Sequence, residues 1–89
     1  MKTIYTKYWF EFEIDHPFSY PPGLGLGCGV TALDFSDAYN LIKTKLFTNT
    51  PMPEMKSYIE NVDIRNLDQA HVIPNMKSPK ERGIWFPLT

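Results

Sequence analysis

One cysteine, Cys28, stands in the 89 residues, and that scarcity removes whole classes of chemistry. No internal disulfide can form and no four-cysteine zinc site can be built, so a reducing cytoplasm is the expected compartment. Excess charge is missing too: nine Lys and Arg against ten Asp and Glu leave a formal net charge of -1. A chain so near neutrality projects no field that draws it to nucleic acid or to anionic lipid. Long apolar runs are absent. The opening stretch MKTIYTKYWFEFEID lacks the continuous apolar segment of an export signal, and nothing later approaches the roughly 20 apolar residues of a membrane span. The expectation is a soluble, unexported protein with no membrane partner. Histidine is reduced to His16 and His71, without the H-E-x-x-H spacing of a catalytic zinc site, so neither metal nor cofactor is expected.

What is present suits a single domain spanning residues 1–89. With 43% hydrophobic residues there is enough apolar surface for one core and too little for two. Ile4, Tyr8, Phe10, Phe12 and Ile14 share one parity, while Lys7, Glu11 and Glu13 share the other. That period of two predicts a strand with one buried face, ending near Ile14. Tyr5 and Trp9 fall on the polar side of it, where an aromatic ring needs a surface to cover. Three prolines in DHPFSYPP, Asp15 to Pro22, make the following segment a loop.

Four of the five glycines then crowd into GLGLGCGVT, alternating with Leu24, Leu26, Cys28 and Val30. Gly27 to Ala32 formally satisfies the G-x-G-x-x-G/A dinucleotide fingerprint. That fingerprint needs an apolar strand directly before its first glycine, whereas a proline-rich loop precedes this one. The segment therefore reads as a strand beside the first, with Cys28 inward and a bare outer face that Trp9 and Tyr5 can shield.

LDFSDAYNLIKTKLF predicts the principal helix. Asp34 is placed to cap it, Asp37 completes an acidic capping box, and Leu33 can staple onto Ala38. Phe35, Ala38, Leu41, Ile42, Lys45 and Leu46 follow helical spacing and predict the face that packs on the sheet. Pro51 or Pro53 then opens a short second helix, with Met52, Met55, Tyr58 and Ile59 on one side. Val62 to Ile64 read as a brief strand, Asn66 and Gln69 as the ends of a second capping box, and GIWFPL as a final strand limited by Pro87. The fold class is α+β: a small, mainly antiparallel sheet with one principal helix on one face and a short second helix.

Catalysis finds little support. Cys28 has core parity, which opposes an activated thiolate paired with His71 or His16. Glu11 and Glu13 share a strand face, but they need a cleft to act as acid and base. Recognition is the better reading. Trp9, Glu11 and Glu13 on the first strand, and Asp63, Asp68 and Arg82 in the C-terminal turns, combine the aromatic, acidic and arginine chemistry of protein interfaces. The alternative is a small enzyme or ligand-binding domain using His71, Asn75 and Trp85. Several of these residues also have ordinary structural roles, Asp68 as a cap and Trp85 as core among them. Lys77, Lys80 and Arg82 form a local basic cluster too small to indicate nucleic-acid binding.

The succession VTALDFSDAYNLI, NVDIRNLDQAHVIPNM and RGIWFP resembles a family of small bacterial proteins, some of them immunity proteins of polymorphic toxin and contact-dependent inhibition systems. The resemblance covers about two-thirds of the chain. It implies a non-catalytic inhibitor that binds and occludes a cognate toxin domain, a nuclease being one candidate. It carries no binding residues over, because immunity proteins use private surfaces.

Overall fold

The computed structural model describes residues 4–14, 23–48 and 51–87. The loop expected over Asp15 to Pro22, with His16 in it, lies outside them. Four strands form one antiparallel sheet: β1 (Thr6–Phe12), β2 (Cys28–Ala32), β3 (Met55–Glu60) and β4 (Gly83–Phe86), in the spatial order β3-β1-β2-β4. The one α-helix among the described residues, α1 (Phe35–Lys45), lies between β2 and β3 in sequence. The α+β architecture of the sequence reading is the observed one.

β1 alternates as its sequence dictates. Tyr8, Phe10 and Phe12 point into the core beneath α1, where they meet Cys28, Val30 and Ala32 of β2 and Ala38, Leu41 and Ile42 of the helix. Each fully buried large apolar side chain contributes about 1.5–3 kcal/mol relative to exposure, so Phe10, Val30 and Ile42 anchor this layer. The helix begins where the residues predict. Asp34 accepts the Asp37 amide at 2.8 Å, and the Asp37 carboxylate accepts the Leu33 amide at 3.0 Å. Leu33 itself remains half exposed.

The other face of the sheet is covered as well, which the parity of β1 does not reveal. Trp9, Val62, Val72, Trp85 and Phe86 form a second core there, roofed by the irregular chain that follows β3. Trp9 is thus buried, and it shields Gly27 as its position on the polar side of β1 predicts. Trp85, not Tyr5, covers Gly29, while Tyr5 stays exposed. A bulge in the β2–β4 ladder explains how two consecutive residues serve one face. Gly29 pairs with Phe86, Val30 pairs with Ile84, and Trp85 is the extra residue between them. β2 pairs along both edges, with β1 and with β4, and rings fill its glycine face. Nothing there resembles an open phosphate cradle.

Three expected elements are corrected. The short second helix is β3. Met52, Met55, Tyr58 and Ile59 imitate helical spacing, but six residues cannot repay helix nucleation, whereas the free edge of β1 supplies hydrogen-bond partners directly. Gly23 to Gly27 are not strand. Gly23 at φ 93° and Gly27 at φ 137° bracket a single 3-10 turn over Leu24–Leu26, and β2 starts only at Cys28. Val62 to Ile64 form no strand either. Asn61 turns the chain at φ 53°, and Asp63 caps a 3-10 turn over Ile64–Asn66.

Candidate functional site

β1 and the chain after β3 enclose a cleft of about 380 Å³ on the face away from α1. β1 contributes Trp9 and Glu11, two residues apart and so on the same side of the strand. β3 adds Ile59, which pairs with Trp9 in the ladder. Leu26 comes from the turn before β2. Val62, Asp63, Asn66, Leu67, Asp68 and Val72 close the far wall. The apolar lining is only partly satisfied from within, since Leu26 is 43% and Ile59 50% exposed.

The three carboxylates of this cleft differ in what already holds them. Asp63 accepts the backbone amide and both arms of the guanidinium of Arg65, at 3.0, 3.1 and 2.9 Å, and this lowers its pKa. Asp68 accepts the amides of Ala70 and His71 at 2.8 and 3.0 Å and faces Nδ1 of His71 at 3.3 Å, which again favours the ionised form. Both are local turn-builders held in the ionised form, and the charge of Asp63 is balanced by Arg65. Glu11 is exposed and makes no side-chain hydrogen bond or ion pair among the described residues. It is the carboxylate of the cleft left free to receive a cation.

Four of the six residues expected to bind a partner are therefore gathered: Trp9, Glu11, Asp63 and Asp68. Glu13 lies beyond the end of β1, its amide donating to the Glu54 carbonyl at 2.9 Å. Arg82 is engaged elsewhere, gripping the Asp37 carboxylate through both Nε and a terminal nitrogen. It ties the segment before β4 to the start of α1.

No family model, curated protein or solved structure matches the chain. The site must be read from its own geometry.

The alternative constellation is only partly accessible. Asn75 donates to the His71 carbonyl at 2.8 Å and both residues are exposed, but Trp85 is sealed in the second core. Cys28 belongs to the core under α1, while the His71 turn roofs the opposite face. The two cannot form a dyad, and burial pushes the Cys28 thiol well above its ordinary value. No cluster of three His, Cys, Asp or Glu suited to a metal occurs among the described residues, and no helix among them is long and apolar enough to cross a membrane.

The Asp37–Arg82 contact makes a pH prediction. Hydrogen bonds from Arg82, and next from the Leu33 amide, hold the Asp37 carboxyl at about 2. A depressed folded-state value means that the contribution is complete above the ordinary carboxylate range and is lost as pH falls toward 2. Thermal melts of the wild type should therefore lose stability between pH 4 and pH 2 more steeply than melts of Arg82→Ala, which starts lower at pH 7. Parallel curves would show that the contact contributes nothing.

Sequence reasoning missed Leu26, Ile59, Val62, Leu67 and Val72. The one available signal was the pairing of Ile59 with Trp9, which reading residues 55–60 as a helix concealed.

Proposed function

We propose that the cleft docks another protein and that the chain is a non-catalytic inhibitor, of the immunity type its sequence resembles, that occludes a basic target domain. The observation that carries this reading is the juxtaposition of the unpaired Glu11 carboxylate with the exposed side chains of Leu26 and Ile59. Tight interfaces concentrate their energy at such places, where an apolar anchor and a charged group are desolvated together. Asp68 extends the negative potential along the rim and speeds the approach of a positive partner, whereas the charge of Asp63 is already answered by Arg65.

Calorimetry against the product of the adjacent reading frame tests the proposal, because an immunity protein is normally encoded beside its toxin. Wild-type protein should bind. Glu11→Ala should keep its thermal midpoint and lose at least about tenfold in affinity, the cost of one unanswered interfacial charge. Glu13→Ala, outside the cleft, should bind like the wild type. Absence of wild-type binding would overturn the immunity reading, and unchanged affinity in Glu11→Ala would remove the cleft from it.

A further inference from the structure

The sheet ends differently at its two edges. At β4 the chain closes its own border: the Lys77 amide donates to the Trp85 carbonyl at 2.9 Å, and the Thr31 hydroxyl donates to the Pro79 carbonyl at 2.5 Å, holding the same loop in place. At β3 nothing comparable occurs among the described residues. β3 pairs only with β1, and its Tyr58 and Ile59 are 45% and 50% exposed. An open edge bearing large apolar side chains is a template for a further strand.

We propose that this edge pairs with the same edge of a second copy of the chain, antiparallel about a two-fold axis at Tyr58. The identity of the occupant comes from the charges. In an isologous pairing each residue meets its mirror position, and residues directly opposite share a face. The axis must therefore pass through a residue. Centred on Ser57, the pairing would set Glu54 against Glu60 twice, a repulsive arrangement. Centred on Ile59, it would leave Lys56 opposite Val62, beyond the strand. Centred on Tyr58, it sets Lys56 of each copy opposite Glu60 of the other, and both residues are exposed. Lys56 is the extra residue of the bulge in β3, and its long stem lets the ammonium reach across without regular pleating there.

The aromatic side chains fit the same axis. Phe35 lies 4.9 Å from Tyr58 and 6.2 Å from Tyr39, ring centre to ring centre. This row runs from α1 to the open edge and stops there. Two copies related at Tyr58 would continue it into one band on the helix side of an eight-stranded sheet. Both clefts would stay on the opposite side, where Ile59, which also lines the cleft, would face Ser57 of the other copy.

Sedimentation velocity on the intact chain, from about 1 μM to about 1 mM, covers the range in which a short interface of this kind dissociates. The wild type should pass from one copy to two. Lys56→Glu and Glu60→Lys should each weaken association at least tenfold by placing like charges opposite one another, and the double reversal should restore it. Hydrogen exchange on the wild type should show protection gained with concentration at the amides of β3 and not at those of β4, a readout that needs no variant. A wild type monomeric at the highest concentration, or a double reversal no tighter than either single one, would overturn the proposal.

Discussion

Gly27→Ala should cost the domain most of its stability. An added Cβ would lie 2.3 Å from Cζ2 of Trp9 and 2.5 Å from its Cε2, well inside contact distance. The indole has little room to retreat, since its ring stands 5.9 Å from that of Trp85 and 5.8 Å from that of Phe86. The backbone opposes the change as well, because φ at Gly27 is 137°, where an L side chain is strained. Overpacking costs about 1–3 kcal/mol and a disfavoured backbone region another 1–3 kcal/mol. Natural domains hold only about 5–15 kcal/mol in total, and the smallest sit low in that range. Gly25 supplies the control two residues earlier: no heavy atom comes within 4 Å of a Cβ built there. Gly25→Ala should thus stay within about 0.5 kcal/mol of the wild type. Urea titrations of both variants check the pair, and equal midpoints would refute the close approach of Trp9 to Gly27.

Trp85→Ala should be nearly as damaging, for the opposite reason. Trp85 is the largest fully buried side chain, stacked on Trp9 and filling the space above Gly29. Truncating a buried tryptophan costs about 3–5 kcal/mol, from lost transfer energy and the cavity left behind. The damage should centre on the second core, because Trp85 has no counterpart in the core beneath α1. Its Nε1–H is buried without a hydrogen-bond partner among the described residues. Trp85→Phe removes that unpaired donor and keeps a ring over Gly29, so it should lose much less than the alanine variant. Near-ultraviolet dichroism and urea midpoints measure both. A loss below about 1 kcal/mol in Trp85→Ala would mean that the second face is not a core.

The legible parts of the fold were those decided by local chemistry. The alternation in β1 follows from residues 8, 10 and 12 alone, and the start of α1 follows from Asp34 and Asp37 capping their own neighbours. β4 is bounded by Gly83 and Pro87, and its span was readable for the same reason. Illegibility began wherever tertiary contact outweighed local preference. Residues 55–60 are extended because β1 offers them a partner, a fact no window around them contains. Residue pattern alone places Trp9 over the glycine face, but the rest of its covering comes from Val62, Val72 and Trp85, far along the chain. For the site, the acidic residues were identifiable by type, but their unequal availability was not. Only geometry separates Glu11 from Asp63, whose carboxylate is occupied by Arg65 two residues later.

The strand order β3-β1-β2-β4 also constrains how the chain reaches its native state. The two outer strands have no template until the central pair exists, and each joins a neighbour distant in sequence: Tyr58 meets Phe10, and Phe86 meets Gly29. Even the fastenings are remote, with Thr31 and Pro79 separated by 48 residues and Asp37 and Arg82 by 45. Each requires a large loop to close before any contact repays the lost chain entropy. High contact order of this kind places folding in the millisecond-to-second range rather than among the microsecond folders, despite the small size. The order of synthesis compounds the delay: β1, β2 and α1 leave the ribosome first, and they must wait with two bare sheet edges for β3 and β4 to follow.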